Sequence, residues 1–102
     1  MQERPKTVIK YCEPAGDYLV MQVNKQTGDA NEWVRFWDAS VAVAYGKAEH
    51  ELGNDHMAIP ALGGAQAELW LVTQRAHDPS LVEQANAVLE SLKKLAKDFP
   101  PP

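Results

Sequence analysis

The densest chemistry in the sequence lies in an eight-residue stretch, EHELGNDH, that runs from Glu49 to His56. Imidazole and carboxylate groups bind zinc and act as general acids and bases. A chain that folds back after the glycine would bring four candidate ligand or metal-binding side chains together: His50, Glu51, Asp55 and His56. Zinc-binding helices, however, place two histidines at i and i+4, whereas five residues separate these two. The stretch therefore more readily predicts a charged helix end followed by a Gly-Asn-Asp turn.

The other reactive residue types are better explained by structure than by catalysis. Asp78 followed by Pro79 is typical of a helix N-cap and first helical position. Cys12 is the single cysteine, which excludes an intramolecular disulfide and suggests a small buried side chain. Gly63 and Gly64 lack the Lys-Ser/Thr pair of a phosphate-binding loop. We predict no cofactor and no catalytic residues, and the sequence favours a protein that is not an enzyme.

Aromatic residues give the strongest functional lead. Trp33, Phe36 and Trp37 lie close together on a predicted helix, and Trp33 and Phe36 share one side of it with Val43. Wide apolar helix surfaces either enter the core or mark an interface, where tryptophan often supplies much of the binding energy. We take these four residues as the candidate interaction surface.

Composition and charge narrow the class of protein. The chain has 102 residues, a hydrophobic content of 45% and a net charge of −4. This length predicts one domain over residues 1–102, with short flexible ends at about 1–5 and 99–102. The acidic balance argues against nucleic-acid binding, which needs a basic surface. No segment has the length of a signal peptide or a membrane span, so we expect a soluble cytoplasmic protein without membrane contact.

Local patterns predict two hairpins and two helices. Residues 7–12 and 17–24 have strand composition on either side of the turn-forming sequence EPAG. Residues 57–62 and 66–73 flank Gly63-Gly64 in the same way. Between the hairpins, apolar residues at three- and four-residue steps favour one helix over residues 30–52, with two strands at 32–38 and 41–45 as the alternative. A last helix from Pro79 to about Asp98 carries a continuous apolar stripe that includes Leu92.

The predicted element order is ββαββα, an α+β domain in which an antiparallel sheet of about four strands packs against two helices. This order resembles the longin and roadblock group of profilin-like domains, which implies a fold and no functional residues. The sequence predicts a non-catalytic binding or assembly module that forms a homo-oligomer, expected to be a dimer, through the aromatic helix or the C-terminal helix. The alternative is a small-ligand- or metal-binding protein with a pocket near His50 and His56.

Overall fold

The computed structural model describes residues 3–25 and 28–98, and these residues are almost entirely helical. The helices are α1 (Glu3–Lys25), α2 (Gly28–Glu51), α3 (Asp55–Arg75) and α4 (Pro79–Leu95), and a 3-10 turn, Ala96–Asp98, follows the last one. No strand occurs within the described ranges, so the predicted α+β fold with a four-stranded sheet is wrong. The likeness to profilin-like domains is lost with it, because that likeness depended on the order of strands and helices.

The first predicted hairpin is instead the helix α1. Val8, Cys12, Ala15 and Leu19 recur at steps of four and three, and all four are half-buried along one side. Pro14, which suggested a turn, lies inside the helix on its exposed side. There it removes the N–H partner of the Lys10 carbonyl, a loss that water can compensate. Burial of the inner side against α2 therefore overrides the β-branched residues and the Pro-Ala-Gly sequence.

The second predicted hairpin is the helix α3. Its buried residues recur at steps of four and three, the period of one helix face. They are Ala58, Leu62, Ala65, Leu69 and Val72. Gly63 and Gly64, which suggested a turn, lie on the exposed side of this helix together with Pro60. A continuous buried stripe therefore outweighs the intrinsic cost of two glycines and a proline.

The two predicted helices are confirmed. Residues 30–52 form one helix and not two strands, since α2 spans Gly28–Glu51. Asp78 caps α4, where its side chain accepts a hydrogen bond of 2.9 Å from the Ser80 backbone N–H. Leu92 is buried in the predicted stripe. Of the predicted flexible ends, residues 3–5 belong to α1, and residues 1–2 and 99–102 lie outside the described ranges.

The helices pack in chain order, each antiparallel to the one before it. Gly46 and Asp38 of α2 face Leu62 and Glu68 of α3, respectively, which sets the opposite direction of these two helices. The buried core draws its residues from α2, α3 and α4. Among the described elements, α1 packs on α2 alone. Residues 3–25 and 28–98 therefore form a three-helix core with a fourth helix attached to one side.

Gly46 sets the close approach of α2 and α3. A β-carbon built at this glycine would lie 2.6 Å from Leu62 Cγ, well inside the contact distance of two carbon atoms. Alanine residues at the same interface, Ala39 and Ala65, are almost completely buried. Small residues on facing helices let the backbones come together, and the larger side chains then interdigitate around them.

Candidate functional site

The histidine-rich stretch forms the junction between α2 and α3. Gly53 has a φ of +80°, the left-handed conformation that ends a helix, and α3 begins two residues later. His50 Nδ1 lies 2.7 Å from Asp55 Oδ1, so this pair connects the two helix ends. Glu51 and His56 are exposed. In the described part of the chain, no group of three or more His, Cys, Asp or Glu side chains could hold a metal ion.

The four aromatic-surface candidates divide into two pairs. Phe36 and Val43 are buried in the core that α2 forms with α3 and α4. Trp37 is 50% exposed, and Trp33 lies between the two environments, packed against the edge of the core. The Trp33 ring meets Phe36 edge to face with centroids 6.1 Å apart, and it lies 6.0 Å from the Trp37 ring. Trp33 therefore connects the core to a surface on which Trp37 is exposed.

That surface continues onto α1 as a groove between the two helices, which we call the α1–α2 groove. One end has a volume of about 600 Å³, and its walls include Tyr18, Leu19, Trp33 and Trp37. The other end, of about 490 Å³, is lined by smaller residues together with Tyr11. These smaller residues include Thr7, Ala15, Ser40 and Ala44. The groove is thus apolar along its length, with a bulky aromatic end and an end built of small side chains.

The exposed side of α1 borders the groove, which it shares through Thr7, Tyr11 and Tyr18, and extends the apolar surface past it. Five residues at steps of four and three are all exposed, and we call them the outer stripe. They are Thr7, Tyr11, Pro14, Tyr18 and Met21. α1 consequently carries apolar residues on two sides, of which only the inner one has a helix packed against it among the described elements. An apolar stripe at this spacing is the pattern of a helix that packs against two neighbours.

A smaller pocket of about 220 Å³ lies on the opposite edge of the α1–α2 interface. Cys12, Asp38 and Tyr45 are among its lining residues. Burial raises the pKa of the Cys12 thiol, which disfavours the thiolate that nucleophilic chemistry requires. No histidine lines this pocket. Its geometry therefore gives little support to covalent catalysis by Cys12.

A group of charged side chains lies where α2 meets α3. Burial, and then a hydrogen bond with Asp38, raise the pKa of Glu68 to about 8, and the charges of Asp38 and Glu32 act in the same direction against Arg35. Two carboxyl groups can share a hydrogen bond only when one of them holds a proton. Glu32 is 7% exposed, and its Oε2 has no hydrogen-bond partner. This cluster can hold a proton at neutral pH, although it lies inside a helix interface rather than facing a large cavity.

Sequence reasoning missed Tyr11, Tyr18 and Glu68. The two tyrosines were placed on predicted strands, and only the step of seven between them would have indicated one helix face. The pairing of Asp38 with Glu68 has no sequence signal, because it depends on how two helices align.

Comparisons with protein families, with curated proteins and with solved structures gave no match for this chain. Of the helices described here, none is long and apolar enough to cross a membrane.

Proposed function

We propose that this protein is a non-catalytic assembly module that forms a homodimer through the surface of α1 and α2. The observation that carries the proposal is that α1, among the described elements, packs on α2 alone, which leaves Tyr11, Tyr18 and Trp37 exposed beside an apolar groove. Burial of apolar surface is favourable by about 25 cal/mol per Å², so a contiguous aromatic patch favours a partner.

The size of this surface suits a dimer. α1 has 23 residues and is therefore about 34 Å long. With neighbouring helix axes about 10 Å apart, α1 and α2 together present a face of roughly 700 Å². A standard stable interface buries about 800 Å² on each partner. A second copy of the chain offers a face of the same size and apolar character, which is the condition for a symmetric dimer.

The central contacts in this dimer belong to Trp37 and Trp33, with tyrosines from α1 around them. The predicted interaction surface also includes Phe36 and Val43. These two side chains are buried in the core, so they pack behind the exposed surface. Substituting Phe36 would disturb folding and binding together. Trp37 is the cleaner position for a test, since its side chain is exposed in the isolated chain.

Sedimentation of the parent and of Trp37→Ala at micromolar concentration tests the proposal. We expect a dimeric parent and a largely monomeric variant. Trp70→Ala is the matched control, because Trp70 is 56% exposed on α3 and lies away from α1 and α2. A parent that is monomeric throughout the micromolar range contradicts self-association. A Trp37→Ala dimer as stable as the parent's contradicts the choice of surface.

A further inference from the structure

The α1–α2 face has two unlike ends, and this asymmetry restricts how two copies can pair. Tyr18, Trp33 and Trp37 make one end bulky, whereas the other end presents Ser40 and Ala44 on α2. A two-fold axis in the interface plane and perpendicular to the helices brings the bulky end of each copy over the small end of the other. A parallel pairing would instead stack bulky on bulky and leave a gap between the small ends.

Residue positions on both helices agree with such an axis. If the two-fold axis crosses α1 near residues 12 and 13, Tyr11 lies opposite the partner's Pro14 and Tyr18 lies opposite the partner's Thr7. If it crosses α2 near residues 38 and 39, Trp37 lies opposite the partner's Ser40 and Trp33 lies opposite the partner's Ala44. Each layer then combines a large aromatic side chain with a smaller residue, which is the packing that interdigitating helices favour.

Two charged residues beside the outer stripe are also consistent with antiparallel pairing of the α1 helices. Lys10 and Asp17 are both exposed and occupy equivalent positions one heptad apart, on the side of the stripe away from α2. In an antiparallel pair about the α1 axis point, Asp17 of one copy falls at the level of Val8 in the other, which is about 3 Å along the helix axis from Lys10. Lys10 of each chain then lies beside the partner's Asp17, giving two opposite-charge pairs related by symmetry.

We infer that two copies associate face to face with antiparallel α1 helices, each bulky aromatic end on the partner's small end and each Lys10 beside the partner's Asp17. This inference rests on the proposed function, because it specifies the geometry of the same dimer. It goes beyond that proposal by fixing the direction of the helices and by naming a pair of charges that selects this direction.

Charge exchange tests the orientation. Lys10→Glu places two like-charged pairs of carboxylates in the interface, and Asp17→Lys places two pairs of amines there. At low salt we expect each variant alone to self-associate about tenfold more weakly than the parent. A mixture of the two variants should form heterodimers of near-parental affinity, since both pairs then again combine opposite charges. The double variant should likewise recover homodimerisation.

The controls carry the same charge changes elsewhere: Lys94→Glu and Glu83→Lys, both on exposed positions of α4. They should dimerise as the parent does and show no preference for each other. If the parent is a dimer but the α1 variants neither weaken it nor prefer each other, the antiparallel pairing is wrong while self-association stands. If the parent is monomeric, the proposed function itself fails.

Discussion

The two sides of the molecule each expose a tryptophan to a similar extent, yet their surroundings differ. Trp37 lies in a groove with apolar neighbours such as Leu19 and Val34. Trp70 lies in a groove of about 760 Å³ between α3 and α4, where most of the lining side chains are polar. They include Gln66, Thr73, Gln74, Asn86 and Lys93. An exposed aromatic ring therefore marks an interface only where its neighbours are also apolar, because burial of the whole patch is then favourable.

The same two sides contribute differently to stability. α3 and α4 contribute the largest fully buried side chains, whereas α1 rests on α2 and adds mostly half-buried side chains at its contact. More of the buried core therefore lies on the first side, and the other side leaves apolar surface for association.

The largest effect is expected for Leu69→Ala, because Leu69 is 0% exposed in the core. Loss of burial and the resulting cavity should lower the free energy of unfolding by about 2–5 kcal/mol. Leu19→Ala on α1 is the matched variant and should cost no more than about 1–2 kcal/mol, since that side chain is only half-buried. Urea denaturation at one fixed protein concentration measures both. Equal losses would show that α1 is as much a part of the core as α3.

A second contrast is between two glycines in helices. Gly46→Ala should destabilise the fold by about 1–3 kcal/mol, because its new β-carbon collides with Leu62 and outweighs the better helix propensity. Gly64→Ala meets nothing within 4 Å and should stabilise α3 by up to about 1 kcal/mol. Thermal melting of the two variants checks the signs. Stabilisation by both would mean that α2 and α3 are further apart than described.

The Asp38–Glu68 pair predicts a pH dependence of folding. Glu68 holds its proton in the folded chain up to a pKa of about 8, above the ordinary value of 4.5. The folded state therefore binds the extra proton between these values, and stability should fall as pH rises through that window. The slope is at most about 1.4 kcal/mol per pH unit, and partial solvent exposure reduces it.

Glu68→Gln isolates this contribution, because glutamine keeps a donor for Asp38 without titrating. Its stability should match the parent's near pH 5 and exceed it near pH 8. The control is Glu90→Gln, at an exposed position where Glu90 pairs with Lys93 at 3.2 Å, and it should preserve the parental slope. Denaturation midpoints at several pH values provide the measurement. Parallel pH profiles for parent and Glu68→Gln would contradict the shared proton.

The smallest effect is expected at the histidine-rich junction. Replacing His50 and His56 together by alanine removes one contact to Asp55 and one exposed side chain, so the cost should stay within about 0.5–1 kcal/mol. Melting temperatures with and without a chelator should agree for both parent and variant. A chelator-dependent fall in the parent that the variant lacks would instead indicate a metal site.

Some elements could be predicted from the sequence because several signals agree there. In α4, the cap at Asp78, the proline after it and the apolar stripe all indicate one helix, and the structure confirms it. In α1 and α3, local signals conflict. Pro14 and the Gly63-Gly64 pair suggested turns, although the four-and-three spacing of apolar residues was already present in both segments.

The residues of the candidate site could also be predicted only in part from the sequence. The sequence identified Trp33 and Trp37 as residues of an unusually apolar helix, but it could not separate them from Phe36, which is 8% exposed. Which of these rings faces water depends on the rotation of α2 relative to α3. The contribution of Tyr11 and Tyr18 depends further on α1 being a helix at all.

The amino-acid pattern alone shows where apolar residues recur, that Asp78 starts the last helix, and that α2 is apolar over more than one face. That α1 and α3 are helices becomes evident only in the folded chain, because burial of a continuous stripe outweighs propensities of at most a few kcal/mol per residue. The folded chain likewise determines which aromatic side chains stay exposed and which carboxylates meet. Both depend on the rotation and alignment of packed helices, which pair residues far apart in the chain.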